Sequence, residues 1–139
     1  MNLLLDTHIW LWSLLEPERL SQRVADALAG DGNRRWLSPL SVWEAHLLIE
    51  RRRVRVDRPP AEWIREALVK APVEEAPLTV EVALASRALV SKHRDPADRF
   101  LVATAQIFDL TLVTADRQLY AIRGLRLLKN TGRTSRQPS

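Results

Sequence analysis

Blocks of apolar residues follow one another along the chain at two spacings, one typical of strands and the other typical of helices. Residues 2–5 and 110–113 are short, largely apolar runs, as expected for strands buried on both faces of a parallel sheet. Longer segments carry apolar residues at helical spacing behind helix-starting residues such as Ser38-Pro39 and Thr79. The predicted elements, in chain order, are a strand at 2–5, helices at 7–15 and 21–30, a strand at 35–37, helices at 38–52 and 59–70, an extended segment at 73–78, helices at 79–91 and 95–108, and strands at 110–113 and 125–128.

The order of these elements predicts the class of fold. Strands that alternate with helices form a parallel sheet covered on both faces. We therefore expect a three-layer α/β/α architecture around a mostly parallel sheet of four to five strands. With 139 residues the chain has room for one domain, expected at residues 1–130. Residues 131–139 carry no large apolar side chain, and we expect them to form a disordered tail.

Composition restricts the class of protein. Hydrophobic residues make up 46% of the chain, a share typical of globular proteins. No apolar run reaches the ~20 residues that span a bilayer, and the N-terminus does not resemble a secretory signal. The absence of cysteine excludes disulfides and zinc sites built on thiolates. The sequence thus predicts a soluble cytoplasmic protein with no membrane partner.

Charge gives an indication about partners. Lys and Arg number 21 against 17 Asp and Glu, a balance compatible with a polyanionic partner and equally with an arginine-rich ordinary surface. One basic cluster is a candidate phosphate-binding rim, unless it is the solvated end of a helix whose dipole favours cations. The cluster consists of Arg51, Arg52, Arg53, Arg55 and Arg58.

Two acidic residues stand at the expected carboxyl ends of strands. Asp6 follows Leu3-Leu4-Leu5, and Asp116 comes shortly after the strand at 110–113. Ligands of open parallel sheets bind at this edge, which makes both residues candidates for a functional site. Alternatively, each carboxylate serves only as the N-cap of the helical segment that follows it.

Glu44 lies on a helix, in a position that depends on where the helix begins. If Ser38 is the N-cap, Glu44 shares the apolar stripe of its helix, where a carboxylate is costly unless it is paired or bound to a metal. If the helix begins three residues later, Ser41 and Glu44 instead form a capping box. The stripe consists of Leu40, Trp43, Leu47 and Leu48. Core packing is the default expectation for Trp10, Trp12, Trp43 and Trp63, with stacking of one of them on nucleic-acid bases as the alternative.

Asp98 lies in the first turn of the helix that starts at Asp95-Pro96. The residues that follow are apolar almost all round, which predicts a central helix and brings Asp98 near the interior. Alternatively, Asp98 complements the helix dipole or shares a capping box with Asp95.

The four acids share a geometry that indicates a metal site. Two of them follow strands, and the other two lie on helices packed against the same sheet. Clustered carboxylates have raised pKa values unless a cation compensates their charge. Ligands that are all oxygen point to a hard ion, Mg²⁺ or Mn²⁺, as a phosphodiester hydrolase requires.

Four segments of the chain resemble the PIN-domain family, and within it the VapC-type toxins of bacterial toxin–antitoxin pairs. In chain order they are LLLDTHIWLW, LSPLSVWEAHLL, HRDPADRFLVATA and LTLVTADRQL. The resemblance implies a PIN-like fold and an endoribonuclease that uses Mg²⁺ or Mn²⁺. It carries over the acidic site of the family as Asp6, Glu44, Asp98 and Asp116. It further suggests supporting roles near the site for Thr7, Ser41, Asp95 and Thr114.

The resemblance also implies partners for the chain. An RNA strand is the expected substrate, an antitoxin is the expected cognate protein, and a homodimer is the expected assembly. Arg94 and Arg99 flank the third acid and are candidates for binding phosphate. Two rival interpretations remain: a catalytically inactive module that binds RNA or protein, and a metal-dependent phosphatase on a doubly wound sheet. The phosphatase would use Asp6 as a nucleophile with a second acid two residues on, where this chain has His8.

Overall fold

The structure, a computed structural model, describes residues 1–89 and 95–131. Its strands and helices are, in chain order, β1 Asn2–Leu5, α1 Thr7–Leu15, α2 Gln22–Ala29, β2 Arg34–Leu37, α3 Pro39–Glu50, α4 Pro60–Lys70, β3 Glu74–Glu75, α5 Val80–Ala88, α6 Pro96–Ile107, β4 Thr111–Thr114 and β5 Leu127–Lys129, with 3-10 turns at Pro17–Arg19 and Arg117–Leu119. Every predicted strand and helix is present. The end of the predicted helix at 79–91, Arg94 and nearly all of the predicted tail lie outside the described residues. No helix within the described ranges is long and apolar enough to cross a bilayer.

The five strands form one parallel sheet in the order β3-β2-β1-β4-β5. β1 pairs with β2 on one side, where Leu3 lies opposite Arg35, and with β4 on the other, where Leu4 lies opposite Leu112. The chain therefore builds the sheet outward from β1 to one edge and then crosses back to β4. Because the order of strands reverses between β1 and β4, the crevice at their carboxyl ends is the topological switch point, where such sheets bind ligands.

Alternate residues of β1 enter two separate cores. Leu3 and Leu5 pack with Trp10 into the core under α1, α2, α3 and α4. Leu4 points to the other face of the sheet and packs with Leu101 of α6. Helices thus cover both faces, which confirms the predicted α/β/α layering.

Capping side chains define where the helices begin. Ser21, Ser38, Thr79 and Asp95 each accept a hydrogen bond from a backbone N–H of the first turn, at distances between 2.9 and 3.2 Å. Each bond satisfies one of the amide groups that a helix leaves without an internal partner. All four predicted helix starts are confirmed.

The buried face of α3 differs from its prediction. Its buried residues are Ser41, Ala45 and Ile49. Trp43 is 61% exposed, so both the predicted stripe and the expected core position of this tryptophan are wrong, whereas Trp10 is buried as predicted. The physical reason is that the small Ser41 and Ala45 side chains let α3 lie against its neighbours α1 and α4.

The end of α3 also differs from its prediction, because the helix stops at Glu50 rather than near residue 52. Arg52 adopts the left-handed region with φ 58°. Its N–H donates to the Ile49 carbonyl at 3.0 Å, and the Arg53 N–H donates to the Leu48 carbonyl at 2.9 Å. This is the Schellman pattern, in which glycine is the usual residue at the left-handed position.

Candidate active site

The candidate site lies where β1 and β4 end side by side. The Asp6 N–H donates to the Val113 carbonyl at 3.0 Å, so the strand pairing continues to the first residue beyond β1. Asp116 follows β4 by two residues. The two acids predicted at strand ends therefore stand on neighbouring strands at the topological switch point.

Hydrogen bonds from two elements hold the Asp6 carboxylate. Its Oδ1 accepts from the Thr7 N–H at 2.7 Å, which makes Asp6 the N-cap of α1. Its Oδ2 accepts from the Thr114 hydroxyl of β4 at 2.6 Å. Asp6 is only 9% exposed, and Thr7 and Thr114 are fully buried. Asp6 is therefore a helix N-cap, as the alternative interpretation of this residue predicted. Capping uses only Oδ1, and Oδ2 is bound by Thr114.

Burial raises the pKa of the Asp6 carboxyl above its usual range. The negative charge of Glu44 raises it further, which places the two acids in one electrostatic environment. The hydrogen bonds from Thr114 and Thr7 and the charge of His8 lower this pKa but do not cancel the effect of burial. A cation at this position would offset the penalty on the charged form.

Glu44 joins this environment through Thr7. The Thr7 hydroxyl donates to Oε1 of Glu44 at 2.5 Å, and this bond links the first turn of α1 to α3. Since Ser38 is the N-cap of α3, the alternative capping box of Ser41 and Glu44 is wrong. Ser41 instead lies inside the helix, buried, and its hydroxyl has no hydrogen-bond partner among the described residues. The Ser41 hydroxyl lies about one helical turn before Glu44 on α3, so it is available to donate to that carboxylate.

Asp116 is connected to the same network on the side of β4. Its N–H donates to Oγ1 of Thr114 at 3.0 Å, and Thr114 in turn donates to Asp6. Its own carboxylate accepts from the Gln118 N–H at 2.9 Å and so caps a 3-10 turn. Thr7 and Thr114 therefore tie three of the four predicted acids together.

The remaining predicted acid belongs to α6. Asp98 lies in the first turn of that helix and is partly buried. Asp95 is the exposed N-cap and accepts from the Ala97 N–H at 2.9 Å, in the capping role predicted for it. The position of Asp98 in the first turn is the predicted one, and its role as a metal ligand stays a prediction.

The chemistry of the donors fits a hard divalent ion. Asp6 and Glu44 supply carboxylate oxygens, and Thr7 and Thr114 hold these carboxylates by hydrogen bonds. Among the described residues, no three Asp, Glu or His side chains are arranged to ligate one ion. Mg²⁺ commonly uses one or two carboxylates and completes its shell with water and substrate phosphates, so two nearby acids satisfy its minimum requirement.

The predicted phosphate-binding arginines divide into separate groups. Arg52, Arg53 and Arg55 line a cleft between α1 and the end of α3, whereas Arg51 is exposed at the helix end and does not line it. Arg99 donates to the carbonyls of two residues near the end of α5, at 3.0 and 2.9 Å. These contacts give Arg99 a structural function in joining α6 to α5.

Sequence reasoning missed one residue of that cleft, Arg19, and its default expectation for a second, Trp12, was core packing. Trp12 and Arg19 line it together with His8. The spacing of His8 and Trp12, four residues apart, places them on one face of α1 and could have indicated a shared surface. No local signal indicates Arg19, because it reaches the cleft from the 3-10 turn that follows α1.

Comparison with known proteins gives a consistent picture. A family model described as "PIN domain" matches residues 3–125. The chain is 33% identical over 123 residues to Ribonuclease VapC22 of Mycobacterium tuberculosis, an alignment that covers 88% of this chain and 92% of that protein.

Solved structures show the same fold. VapBC2 from Rickettsia felis, bound to a DNA fragment from its promoter, matches with a TM-score of 0.70 and 14% identity over 93% of this chain and 98% of that one. A toxin–antitoxin complex from Klebsiella pneumoniae matches with a TM-score of 0.66 and 19% identity, covering 92% of this chain and 97% of that one. At these identities the likeness concerns the fold alone.

Proposed function

The chain belongs to the PIN-domain family and resembles its VapC-type toxins, and from this premise we propose that it is a metal-dependent endoribonuclease, the toxin of a toxin–antitoxin pair. The curated relative is a ribonuclease, and its alignment spans nearly the whole of both chains. A cellular RNA substrate would place the activity in the cytoplasm.

The observation that carries this proposal is the Asp6 carboxylate, nearly buried at the switch point and close to the charge of Glu44. A buried carboxylate beside a second one is unfavourable in a purely structural role. A divalent cation would relieve both the desolvation and the repulsion. We therefore infer that these two carboxylates are part of a site that binds a divalent ion.

We assign Asp6, Glu44, Asp98 and Asp116 to the proposed Mg²⁺ or Mn²⁺ site. When bound, such an ion supplies Lewis-acid activation of water and of a phosphoryl oxygen. Thr7 and Thr114 fix the directions of the Glu44 and Asp6 carboxylates through their hydroxyls. Ser41, with its unused buried hydroxyl, is a further orienting group for Glu44.

The test of this function is cleavage of a labelled single-stranded RNA in the presence of Mn²⁺. Asp6→Asn and Asp98→Asn should each reduce turnover about a hundredfold or more, because each removes a charged oxygen from the reacting centre. Asp31→Asn, at an exposed loop position, is the matched control and should cleave as the wild type does. Unaltered turnover in both site variants would disprove the assignment. RNA binding by a wild type that cleaves nothing would instead indicate an inactive binding module.

We also propose two assemblies. Solved relatives of this fold include a toxin–antitoxin complex, which supports an antitoxin as the protein partner of this chain. A homodimer is supported by exposed apolar side chains on α5, where Val80 and Leu84 are 74% and 63% exposed and stand one turn apart.

Expression without the antitoxin should arrest growth, and unaffected growth despite soluble protein would contradict the toxin role.

A further inference from the structure

A cleft of about 700 Å³ lies between α1 and the end of α3. Its polar lining is mostly cationic or aromatic, and it also contains the acidic Glu16. We name it the α1–α3 cleft and define it by His8, Trp12, Arg19, Arg52, Arg53 and Arg55.

The α1–α3 cleft begins next to the candidate active site. Thr7 and Glu44 join α1 to α3 through their hydrogen bond. The cleft-lining residues Leu11 and Leu48 lie four positions further along the same two helices, which is slightly more than one turn or about 6 Å. His8 follows Thr7 directly. A chain molecule lying in the cleft would therefore lead to the carboxylates.

Glu16 offsets only part of the positive charge of the cleft. Arg52, Arg53 and Arg55 are exposed and form no ion pair with any carboxylate among the described residues. Other arginines of the chain are paired, as in Arg34 with Glu74 at 3.0 Å. Three unpaired cations on one wall create a positive potential that favours a polyanion.

The opposite wall carries a fourth cation held in place. The guanidinium of Arg19 stacks over the Trp12 ring at 4.4 Å and forms a long ion pair with Glu16, at 3.9 Å. The His8 ring lies 5.7 Å from Trp12 on the preceding turn. A stacked guanidinium loses less freedom on binding phosphate than a mobile one, because its orientation is already restricted.

Arg52 retains its side chain at a backbone position that favours glycine. Its φ of 58° is unfavourable for residues with a Cβ atom. Glycine would serve the Schellman end of α3 better, so Arg52 stands there at a local conformational cost. Such outliers occur preferentially at functional positions.

We propose that the α1–α3 cleft binds single-stranded RNA beside the phosphate to be cleaved, with Arg52, Arg53, Arg55 and Arg19 contacting its backbone. The inference rests on the proposed ribonuclease function, since it assigns the path of the substrate to one side of that same site. Charge complementarity favours a nucleic-acid strand over a protein segment as the occupant.

The experiment measures the affinity of the full chain for a fluorescein-labelled mixed-sequence oligoribonucleotide in EDTA, where no cleavage occurs. The test variant combines Arg52→Gly, Arg53→Ala and Arg55→Ala. We expect its dissociation constant to rise roughly tenfold or more, and the slope of log affinity against log salt to become less negative by about 2, since each phosphate contact contributes about 0.7.

A charge-matched control separates the cleft from the net charge. Arg23→Ala, Arg65→Ala and Arg123→Ala remove three exposed arginines outside the cleft, and this variant should keep most of the affinity. Equal loss in both triple variants, unchanged affinity in the cleft variant or no measurable binding by the wild type would each overturn the inference. Wild-type binding without Mn²⁺-dependent cleavage would leave the cleft inference standing and contradict the proposed function.

Discussion

Burial and the charge of Glu44 both disfavour the ionised form of Asp6, so we expect its carboxylate to lower the stability of the metal-free protein at pH 7. Asparagine has nearly the same shape and can still accept from the Thr7 N–H. We expect Asp6→Asn to raise the melting temperature in EDTA at pH 7 by about 3 to 5 °C, the shift that roughly 1 kcal/mol produces in a domain of this size. Thermal unfolding followed by circular dichroism measures it.

Added Mn²⁺ should reverse the order of the melting temperatures of the wild type and Asp6→Asn. Mn²⁺ that binds the folded state raises the melting temperature of the wild type by mass action, whereas the asparagine variant loses a ligand and gains less. Asp31→Asn, at an exposed loop position, is the control and should follow the wild type in both conditions. A less stable Asp6→Asn variant in EDTA would show that the carboxylate is structural.

Single residues of the site were predictable where a strand end determines their position. Asp6 and Asp116 were identified because a polar residue after a buried apolar run falls at the ligand-binding edge. The part of Thr114 in joining them was expected only through the resemblance, since its hydroxyl reaches Asp6 through the pairing of two strands distant in sequence. Such pairing is not encoded locally.

At the scale of elements, helix starts were more predictable than helix ends. Ser38 and Thr79 mark where their helices begin, because their side chains accept hydrogen bonds from backbone N–H groups of the first turn. The end of α3 lacked its usual signal, since Arg52 stands where glycine would mark the left-handed residue. The exposed Trp43 was mispredicted because apolar spacing alone cannot tell which face of an apolar helix meets its neighbours.

The strain at the end of α3 can be measured by comparing two substitutions. Arg52→Gly and Arg52→Ala remove the same charge, but only glycine relieves the left-handed backbone. We expect the glycine variant to exceed the alanine variant by about 1 kcal/mol in unfolding free energy, measured by urea denaturation. Equal stabilities would mean that residue 52 is not strained, and would remove one of the arguments for the α1–α3 cleft.

At the scale of the whole molecule, the layering was predictable but the cleft was not. Alternating elements imply a parallel sheet between two helical layers, as found. The cleft depends on how α1 meets the end of α3, and neither helix indicates that approach by itself. Cationic residues distant in sequence, such as Arg19 and Arg55, line the same cleft only once the chain is folded.

The proposed homodimer is a property of the molecular surface. Val80 and Leu84 expose apolar side chains one turn apart on α5, and covering them from water would stabilise an assembly. We therefore expect Leu84→Glu to shift the purified protein from dimer to monomer in sedimentation equilibrium, because the interface would bury an unpaired charge. Val69→Glu is the matched control, since Val69 is 78% exposed on α4 away from that pair. If Leu84→Glu remains a dimer, or the wild type is already a monomer, α5 is not a dimer interface.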